Sequence, residues 1–375
     1  MSYLNLRPDT PEQLAEALAE AARARRTIAL CGASSKDWLG GPVADADIRI
    51  STSALTRVLC YEPRDLTISI EAGLAYNELR RLLAENQQMI PLDPPCASTA
   101  TVGGVLATNS SGPRRRLYGT ARDLVIGLRF ATLDGKLPQS GGMVVKNVAG
   151  LDMAKLLIGS FGTLAAIAVV NLKVSPMPSC SRTFLRAFTS AGEAFTVRNA
   201  ILHGVLQPAA IDILNPAASA VTGHEGWLLA VQAQGNRAVV ERYSREMPEA
   251  QILEAEAEES FWLSVREFTP RFLAANSGGV VTRLNATLTE METLMPSIVA
   301  PSVGRAGNGI VYAHFSSSGG AIDALRGRRG VIASAPPGVV EQWLETGDDF
   351  AIMRKIKNMF DPNGLLNRGR LYGRI

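Results

Sequence analysis

The amino-acid sequence predicts an α+β fold with more than one domain. Short strand-like and helix-like segments follow one another in mixed order, without the strict alternation typical of βαβ winding. The chain has 375 residues, of which 46% are hydrophobic and 19% are charged. Such a composition can bury a core, and domains of about 100–200 residues predict two domains or one domain with an insert.

The first part of the chain predicts one helix and two strands. Thr10, Pro11 and Gln13 form a helix start signal, because the Thr hydroxyl can cap the helix and Pro suits its first position. Apolar residues then recur at helical spacing. Residues 27–30 predict a short strand. Residues 66–71 alternate apolar and polar side chains, which predicts a half-buried strand.

Later segments predict further elements of both kinds. Tyr76 to Asn86 predicts a helix, and Val125 to Leu133 predicts a strand that ends at an Asp-Gly hairpin turn. Leu156 to Leu172 is uncharged, but its polar and glycine residues predict a helix end, a turn and a buried strand rather than a membrane span. The acid-rich stretch from Glu246 to Glu259 predicts a solvated helical face. Asp348 to Phe360 predicts a final helix.

Two proline-rich stretches predict the domain organisation. They lie at Ser175 to Ser179 and at Ala335 to Gly338. The predicted segments are therefore 1–176, 177–334 and 335–375.

Several classes of function are disfavoured by composition. The net charge of +3 is too small to indicate a nucleic-acid-binding protein. No G-x-G-x-x-G, P-loop, H-E-x-x-H or G-x-S-x-G motif occurs, which disfavours Rossmann, nucleotide-hydrolase, zinc-protease and serine-hydrolase sites. The first ten residues lack the pattern of a signal peptide.

The cysteines and histidines predict no metal site. Both residue types are widely spaced, and no C-x-x-C pair occurs, so an intrinsic iron–sulfur cluster or zinc site is not expected. Reduced thiols in the cytoplasm are the simplest interpretation. These residues are Cys31, Cys60, Cys96, Cys180, His203, His224 and His314.

The positive signals are glycine-rich turns. Gly32 to Lys36 follows a strand, and its small residues let consecutive backbone N–H groups converge on an anion. Ser34 and Ser35 can add hydroxyl donors. A simple strand-to-loop turn is the alternative for this motif alone.

Two further clusters strengthen the ligand interpretation. Pro94 to Gly112 contains few large side chains, and Gly103 and Gly104 permit close approach of a long, flat, polar ligand. The third cluster runs from Gly141 to Asp152 and continues at Gly159 to Leu164. Together the clusters predict a single extended dinucleotide ligand.

The run Arg114, Arg115 and Arg116 has three open interpretations. It could face a phosphate, lie in a solvated loop or form a partner surface.

These motifs resemble the FAD-binding domain of the vanillyl-alcohol oxidase (PCMH-type) flavoprotein superfamily. The tail Phe360 to Arg370 is similar to the closing segment of that superfamily, and Lys146 to Gly150 and Asn367 to Tyr372 resemble the FAD-binding E subunits of bacterial glycolate oxidases. The other matching segments are Gly32 to Lys36, Pro91 to Gly112, Tyr118 to Asp123, Lys146 to Asp152 and Gly159 to Leu164.

The resemblance implies a PCMH-type FAD domain of two α+β subdomains, a smaller α+β cap-like domain for substrate or partner, and a C-terminal segment that returns to the FAD domain. It implies non-covalent FAD, because no histidine occupies the first loop, where covalently flavinylated relatives carry their attachment residue. The implied cofactor-binding residues are Gly32, Ala33, Ser34, Ser35, Lys36, Thr101, Val102, Gly103, Gly104, Ser111, Gly112, Tyr118, Asp123, Val125 and Ile167.

The resemblance also implies a function and partners. The chain would be the FAD-binding subunit of a complex that oxidises glycolate to glyoxylate. A second flavoprotein subunit and an iron–sulfur subunit would pass electrons towards membrane quinone, so membrane contact would be indirect. Two alternatives stay open: a self-sufficient FAD-dependent 2-hydroxy-acid (D-lactate-like) dehydrogenase, and a non-catalytic scaffold that binds FAD for stability or not at all.

Oxidation of a 2-hydroxy acid needs a base for the hydroxyl proton and a cation for the carboxylate. His314 is the candidate base, and Arg266 and Arg283 are the candidate cations. A structural histidine and surface or strand-packing arginines are the alternatives.

Overall fold

The computed structural model describes residues 4–41, 44–143, 151–344 and 346–375. Helices and strands are mixed along the chain, and the α+β prediction is confirmed. Internal contacts divide the chain into two units. The first comprises Met1–Ser111, Thr120–Met177 and Glu341–Ile375, and the second comprises Gly112–Gly119 and Pro178–Val340. The sequence-based segments do not anticipate that residues 112–119 group with the second unit.

Eighteen strands are formed within the described residues. They are β1 (Leu4–Leu6), β2 (Ile28–Cys31), β3 (Ile48–Ser51), β4 (Val58–Glu62), β5 (Thr67–Glu71), β6 (Gln88–Met89), β7 (Val125–Ala131), β8 (Gln139–Gly141), β9 (Ala166–Lys173), β10 (Ser175–Pro176), β11 (Cys180–Phe188), β12 (Ala210–Leu214), β13 (Trp227–Gly235), β14 (Gln251–Leu253), β15 (Val280–Asn285), β16 (Ser302–Arg305), β17 (Ile310–Phe315) and β18 (Gly330–Ser334).

Fourteen α-helices lie between these strands in the same described ranges. They are α1 (Pro11–Arg23), α2 (Tyr76–Ala84), α3 (Val102–Ala107), α4 (Arg115–Tyr118), α5 (Ala121–Leu124), α6 (Met153–Leu157), α7 (Ala191–His203), α8 (Pro216–Val221), α9 (Arg237–Glu246), α10 (Ala255–Arg266), α11 (Phe268–Ala275), α12 (Met291–Leu294), α13 (Ser318–Leu325) and α14 (Phe350–Phe360).

The first unit contains two main sheets with separate cores. A parallel sheet has the order β1-β3-β2, and α1 packs its buried face on it through Leu14 and Leu18. The predicted helix start is observed, since the Thr10 hydroxyl accepts a hydrogen bond from the Gln13 N–H at 3.1 Å. A five-stranded antiparallel sheet has the order β4-β5-β9-β7-β8 and carries the second core.

Strand β5 is buried on both faces, so the prediction of a half-buried strand is wrong there. Its neighbours β4 and β9 flank it, and all five residues are buried. The Glu71 carboxylate is fully buried. It accepts two hydrogen bonds from the Arg57 side chain, at 2.7 and 3.0 Å, and one from the Arg57 backbone N–H, at 2.8 Å. The alternating polar residues are therefore satisfied inside the unit instead of facing solvent.

The C-terminal tail pairs with the parallel sheet at one position. Leu366 pairs with Ile28 of β2 in parallel fashion. A buried ion pair at the end of α14 shapes this tail, because Lys357 Nζ lies 2.7 Å from Asp361 Oδ2. Lys357 also donates to the carbonyl oxygens of Thr163 and Leu366 at 2.8 and 2.9 Å, so all three of its N–H groups have acceptors.

The second unit is built on one antiparallel sheet of eight strands. The strand order is β14-β11-β13-β12-β16-β17-β15-β18. Helices α10 and α11 contribute Phe261, Trp262, Val265 and Phe268 to a core on this sheet.

The acid-rich stretch is not a solvated helical face throughout, which corrects the prediction for residues 246–259. It covers the end of α9, the strand β14 and the start of α10. Glu258 is only 6% exposed, and one of its oxygens accepts hydrogen bonds from Ser181, Thr183 and Gln232 at 2.7, 3.0 and 2.9 Å. Strands β11 and β13 thus supply hydrogen-bond donors that offset the cost of burying the Glu258 carboxylate.

Within the described ranges, no helix is both long enough and apolar enough to cross a bilayer.

Replacing Lys357 by Met is expected to destabilise the chain by about 3–5 kcal/mol, because Asp361 keeps a buried charge without its cation. The free energy of unfolding from urea titration measures this loss. Lys355→Met, on the exposed side of the same helix, is the control and is expected to change stability by less than about 0.5 kcal/mol. Equal losses in the two variants would contradict the assignment.

Candidate functional site

A cavity in the first unit is the candidate site. It encloses about 1190 Å³, counting the space open to solvent at its mouth. Its walls come from β2 and the loop after it, from β3 and α3, from the turn before β9, and from the C-terminal tail. Small side chains and backbone form most of these walls, which lets a ligand approach the main chain closely.

The loop after β2 offers unpaired backbone donors to this cavity. The N–H groups of Ala33, Ser34 and Ser35 donate no hydrogen bond within the described part of the chain. Ser34 has a left-handed backbone with φ of +57°, a conformation typical of loops whose N–H groups converge on an anion. Three neighbouring donors without acceptors among the described residues fit a phosphate-bearing ligand.

Arg49 adds a positive charge beside this loop. It extends from β3 and donates to the Ser34 hydroxyl at 2.5 Å and to the Cys31 sulfur at 3.3 Å. The buried Lys36 side chain also lines the cavity. The loop therefore combines backbone donors with two cationic residues.

The start of helix α3 forms the opposite part of the wall. Thr101 caps this helix, and its hydroxyl accepts from the Gly104 N–H at 3.2 Å. A Cβ atom at Gly103 would lie 2.8 Å from Ala72 Cβ, so close packing requires glycine there. At Gly104, in contrast, a Cβ atom would meet only the Thr101 hydroxyl, at 3.1 Å, and the remaining space belongs to the cavity.

The tail closes the cavity through Asn367. Its amide oxygen accepts from the Leu30 N–H at 2.7 Å, and its amide nitrogen donates to the carbonyl oxygens of Leu30 and Phe161 at 3.1 and 2.8 Å. One side chain therefore joins the tail, the strand before the first loop and the turn before β9.

Arg370 places a third cation at the wall. Its guanidinium lies 5.6 Å from the centroid of the Phe161 ring and donates to the Gly41 carbonyl oxygen at 2.7 Å. Burial lowers the pKa of Arg370, and its Nε has no acceptor within the described ranges. A bound anion would relieve the cost of burying this charge.

The structure brings together part of the predicted cofactor set. The residues that line the cavity are Gly32, Ala33, Ser34, Ser35, Lys36, Thr101, Gly103, Gly104 and Ile167. The predicted residues that do not line it are Val102, Ser111, Gly112, Tyr118, Asp123 and Val125.

Several of these outer residues have a structural role. Val102 and Val125 pack in the core of the five-stranded sheet. Asp123 completes a capping box with Thr120 at the start of α5. Tyr118 belongs to the second unit and donates from its hydroxyl to Gln234 at 3.2 Å. Their contact with a cofactor stays a prediction.

Two further sequence motifs are the arginine run and the segment Lys146 to Gly150, and the structure describes the first of them. Arg116 donates to the Gln207 amide oxygen at 3.3 Å in the second unit. The motif Lys146 to Gly150 lies outside the described residues.

Sequence reasoning missed the cavity residues Arg49 and Arg370. Arg49 is a single cation in a strand, and its own neighbours give no signal of a ligand. Arg370 and Asn367 lie in the closing segment that carried the family resemblance, and this was the available signal for them. The non-covalent attachment of FAD stays a prediction.

His314 is a buried imidazole in the second unit. It is 1% exposed, and it lies on β17 between the rings of Phe268 and Phe272. Nδ1 donates to the Pro301 carbonyl oxygen at 3.0 Å, so Nε2 accepts from the Thr269 hydroxyl at 2.8 Å. Burial lowers its pKa to about 4, and the ring is neutral at pH 7. Its role as a base stays a prediction, with both nitrogens engaged.

The two candidate arginines differ in their surroundings. Arg266 on α10 is paired with Glu259 at 2.8 Å. Arg283 on β15 is partly exposed, and its side chain makes no hydrogen bond or ion pair within the part of the chain described. Their role in holding a carboxylate stays a prediction, and Arg283 is the one with free donors.

Two family models match the chain. Residues 4–140 match the FAD binding domain, and residues 342–371 match the C-terminal domain of FAD linked oxidases. Both matched segments contribute walls to the cavity. FAD is thus the cofactor of this chain, and the chain is an FAD-dependent oxidoreductase.

Relatives in the curated proteins agree with these models. Glycolate oxidase subunit GlcE of Escherichia coli is 28% identical over 98% of this chain and 99% of its own length. Glycolate oxidase subunit GlcD of Bacillus subtilis is 29% identical over 43% of this chain and 34% of its own length. The mitochondrial D-lactate dehydrogenase [cytochrome] of Arabidopsis thaliana is 31% identical over 44% of this chain and 29% of its own length.

A solved structure shows the same fold. p-Cresol methylhydroxylase superposes with a TM-score of 0.73 over 98% of this chain and 88% of its own, at 13% identity. The predicted PCMH-type fold and the resemblance to the glycolate oxidase E subunit are therefore confirmed.

The donors and the space in the cavity fit FAD, independently of the comparisons. The unpaired N–H groups of the first loop, together with Arg49, would hold the negatively charged diphosphate. The glycine at position 104 leaves room for a flat ring system.

Replacing Gly104 by Leu is expected to weaken FAD binding at least about tenfold, because the new side chain enters the cavity. Fluorescence titration of the apoprotein with FAD measures this change. Gly192→Leu adds the same side chain at an open, exposed position of α7 and is expected to leave FAD affinity unchanged. Normal FAD affinity in Gly104→Leu would refute the cavity as the cofactor site.

His314 predicts a loss of stability in acid. The buried ring, with a pKa of about 4, stays neutral at pH 5, whereas the unfolded ring, with a pKa of about 6.5, takes up a proton. Protonation therefore favours the unfolded chain as the pH falls from above 6.5 towards 4, at a cost of about 2 kcal/mol between pH 7.5 and 5. Urea unfolding at both pH values tests this, and His314→Asn is expected to reduce the loss by that amount.

The matched control is His203→Asn, at an exposed position. It is expected to retain the wild-type loss. An unchanged pH dependence in His314→Asn would contradict the neutral buried ring.

Proposed function

We propose that this chain is the FAD-binding subunit of a complex that oxidises glycolate to glyoxylate. The proposal depends on one observation: the similarity to the Escherichia coli glycolate oxidase subunit GlcE extends over both units and nearly the full length of both chains. The cavity with its anion-binding loop supports the cofactor part of the proposal.

The coverage of the other relatives supports this proposal over a self-sufficient dehydrogenase. The matches to the D-lactate and D-2-hydroxyglutarate dehydrogenases span 40–47% of this chain. Each of these matches leaves more than half of this chain uncovered. The second unit, which would decide substrate and partner, is shared over its length with the glycolate oxidase subunit.

The chemistry of the described residues supports dependence on partners. When bound, FAD supplies the hydride acceptor for oxidation of an alcohol carbon. The candidate base His314 has both nitrogens occupied, and Arg266 is paired with Glu259. Neither of these candidates is thus free, among the described residues, to serve the substrate hydroxyl or carboxylate.

The partners follow from the same reasoning. We expect a second flavoprotein subunit and an iron–sulfur subunit, because the four cysteines of this chain are too far apart in sequence for a cluster motif. Electrons would pass through these partners towards membrane quinone. The chain itself would be cytoplasmic and reach the inner membrane only through them.

We expect the purified FAD-loaded chain to show little turnover with glycolate and an artificial electron acceptor, and the chain co-expressed with both partners to oxidise glycolate. Steady-state assays with glycolate and D-lactate measure this difference. Bleaching of the yellow flavin by substrate is the second readout.

Each alternative predicts a different result. Robust turnover by the single chain would favour a self-sufficient 2-hydroxy-acid dehydrogenase. A complex whose activity is unchanged by Gly104→Leu in this subunit would favour a scaffold that does not need its flavin.

A further inference from the structure

Helix α14 carries an exposed apolar stripe on its outer side. Ile352, Ile356 and Met359 follow one another at helical spacing, and since 3.6 residues make one turn, they lie along one face of the helix. Ile352 is 60% exposed and Met359 is 79% exposed. Ile356 lies between them and is partly buried, because it also packs against the core of the five-stranded sheet. Apolar residues in this pattern are typical of a helix face that another helix covers.

The inner side of the same helix is firmly attached to the first unit. Phe360 packs against the core of the five-stranded sheet, and Lys357 is buried in its ion pair with Asp361 at 2.7 Å. Lys357 also donates to the Thr163 carbonyl oxygen at 2.8 Å, which ties the helix to the turn before β9. A helix that is already ordered loses little conformational entropy when a partner docks on it.

A single cation lies directly beside the stripe. Lys355 is three residues from Ile352 and four from Met359, so its side chain neighbours both of them on the helix surface. It is exposed, and its ammonium makes no hydrogen bond or ion pair with the described part of the chain. No Asp or Glu occurs from Phe350 to Phe360. The edge of the stripe is therefore positively charged.

This charge decides between possible occupants. Lys355 lies near the middle of the stripe, so a two-fold pairing of two copies of this chain would bring their Lys355 ammonium groups together. Like charges that face each other are destabilising. A helix with carboxylates beside its own apolar face would instead complement both the stripe and the cation.

The dimensions of the stripe also fit a helix. Two helical turns separate Ile352 from Met359, a length of about 10 Å. This narrow row of side chains matches the contact of one helix with another.

We propose that the stripe of Ile352, Ile356 and Met359 docks an amphipathic helix of a partner subunit that carries carboxylates beside its apolar face. The two apolar faces pack together, and a carboxylate of the partner pairs with Lys355. The inference rests on the proposed function, because the partner that it describes belongs to the complex that oxidises glycolate.

The test uses the full-length, FAD-loaded chain co-expressed with the second flavoprotein subunit and the iron–sulfur subunit. Sedimentation velocity over a dilution series gives the dissociation constant of this chain from the complex. Met359→Glu is expected to raise that constant at least about tenfold, since it places a charge in an apolar contact. Met359 is exposed, so the isolated variant should fold and keep the wild-type unfolding midpoint. Val205→Glu, at a 64% exposed position of the second unit, is the control and should assemble as wild type.

A second pair of variants tests the charge. Lys355→Glu is expected to raise the dissociation constant several-fold, because it would repel the carboxylates of the partner. Arg354→Glu makes the same charge reversal at an exposed position that points to another side of the helix, and it should assemble as wild type. Lys355→Gln should also reduce the dependence of the dissociation constant on salt concentration, which a purely structural lysine would not change.

Unchanged dissociation constants in Met359→Glu and Lys355→Glu would refute the docking surface. Two further measurements identify other occupants. Self-association of the isolated chain that Met359→Glu abolishes would replace the partner helix by a second copy. Met359-dependent cosedimentation with vesicles of phosphatidylglycerol and phosphatidylcholine would replace it by a membrane surface.

Failure of the docking surface is distinguishable from failure of the proposed function. Met359-dependent assembly in a complex that does not oxidise glycolate would sustain the surface and refute the function. A glycolate-oxidising complex that tolerates both variants would do the reverse. A wild-type chain that assembles with neither partner would refute both.

Discussion

The side-chain amide of Asn367 is the contact on which the candidate cofactor cavity depends. It bonds both backbone groups of Leu30 and the carbonyl oxygen of Phe161, and so joins three distant segments. The Lys357–Asp361 pair supports this contact. Asp361 also accepts hydrogen bonds from the Leu365 and Leu366 N–H groups, and it thereby fixes the backbone just before Asn367. The anion-binding loop begins directly after the strand that Asn367 holds.

The burial of charged side chains is the second constraint on the structure. The two units differ in how these side chains are paired. In the first unit, Arg370 is buried beside unpaired loop donors, an arrangement that an anionic cofactor would complete. In the second unit, Arg305 is already paired with Asp212, and Glu258 is surrounded by three donors. A ligand would therefore complete the surroundings of Arg370, whereas the chain itself supplies the partners of Arg305 and Glu258.

Sequence patterns predicted what local chemistry determines. The cap at Thr10 and the glycine-rich loop are local signals, and the structure has both of them. The helix start at Thr101 was not predicted. Arg49 was missed because its meaning depends on a strand pairing, and burial of β5 and Glu258 was missed because neighbours remote in sequence supply it. Of the run Arg114 to Arg116, Arg116 contacts Gln207, a neighbour that is 91 positions away in sequence.

The bonds from Asn367 to Leu30 span 337 positions of the chain. During synthesis, the first loop therefore leaves the ribosome long before the residue that completes its surroundings, and closing so long a loop is slow. Until then, the early sheet lacks its pairing with the tail, and the cavity lacks one of its walls. The nascent protein is thus exposed to aggregation and proteolysis at this edge, and an adequate supply of flavin at the moment of release would capture each chain as the tail docks.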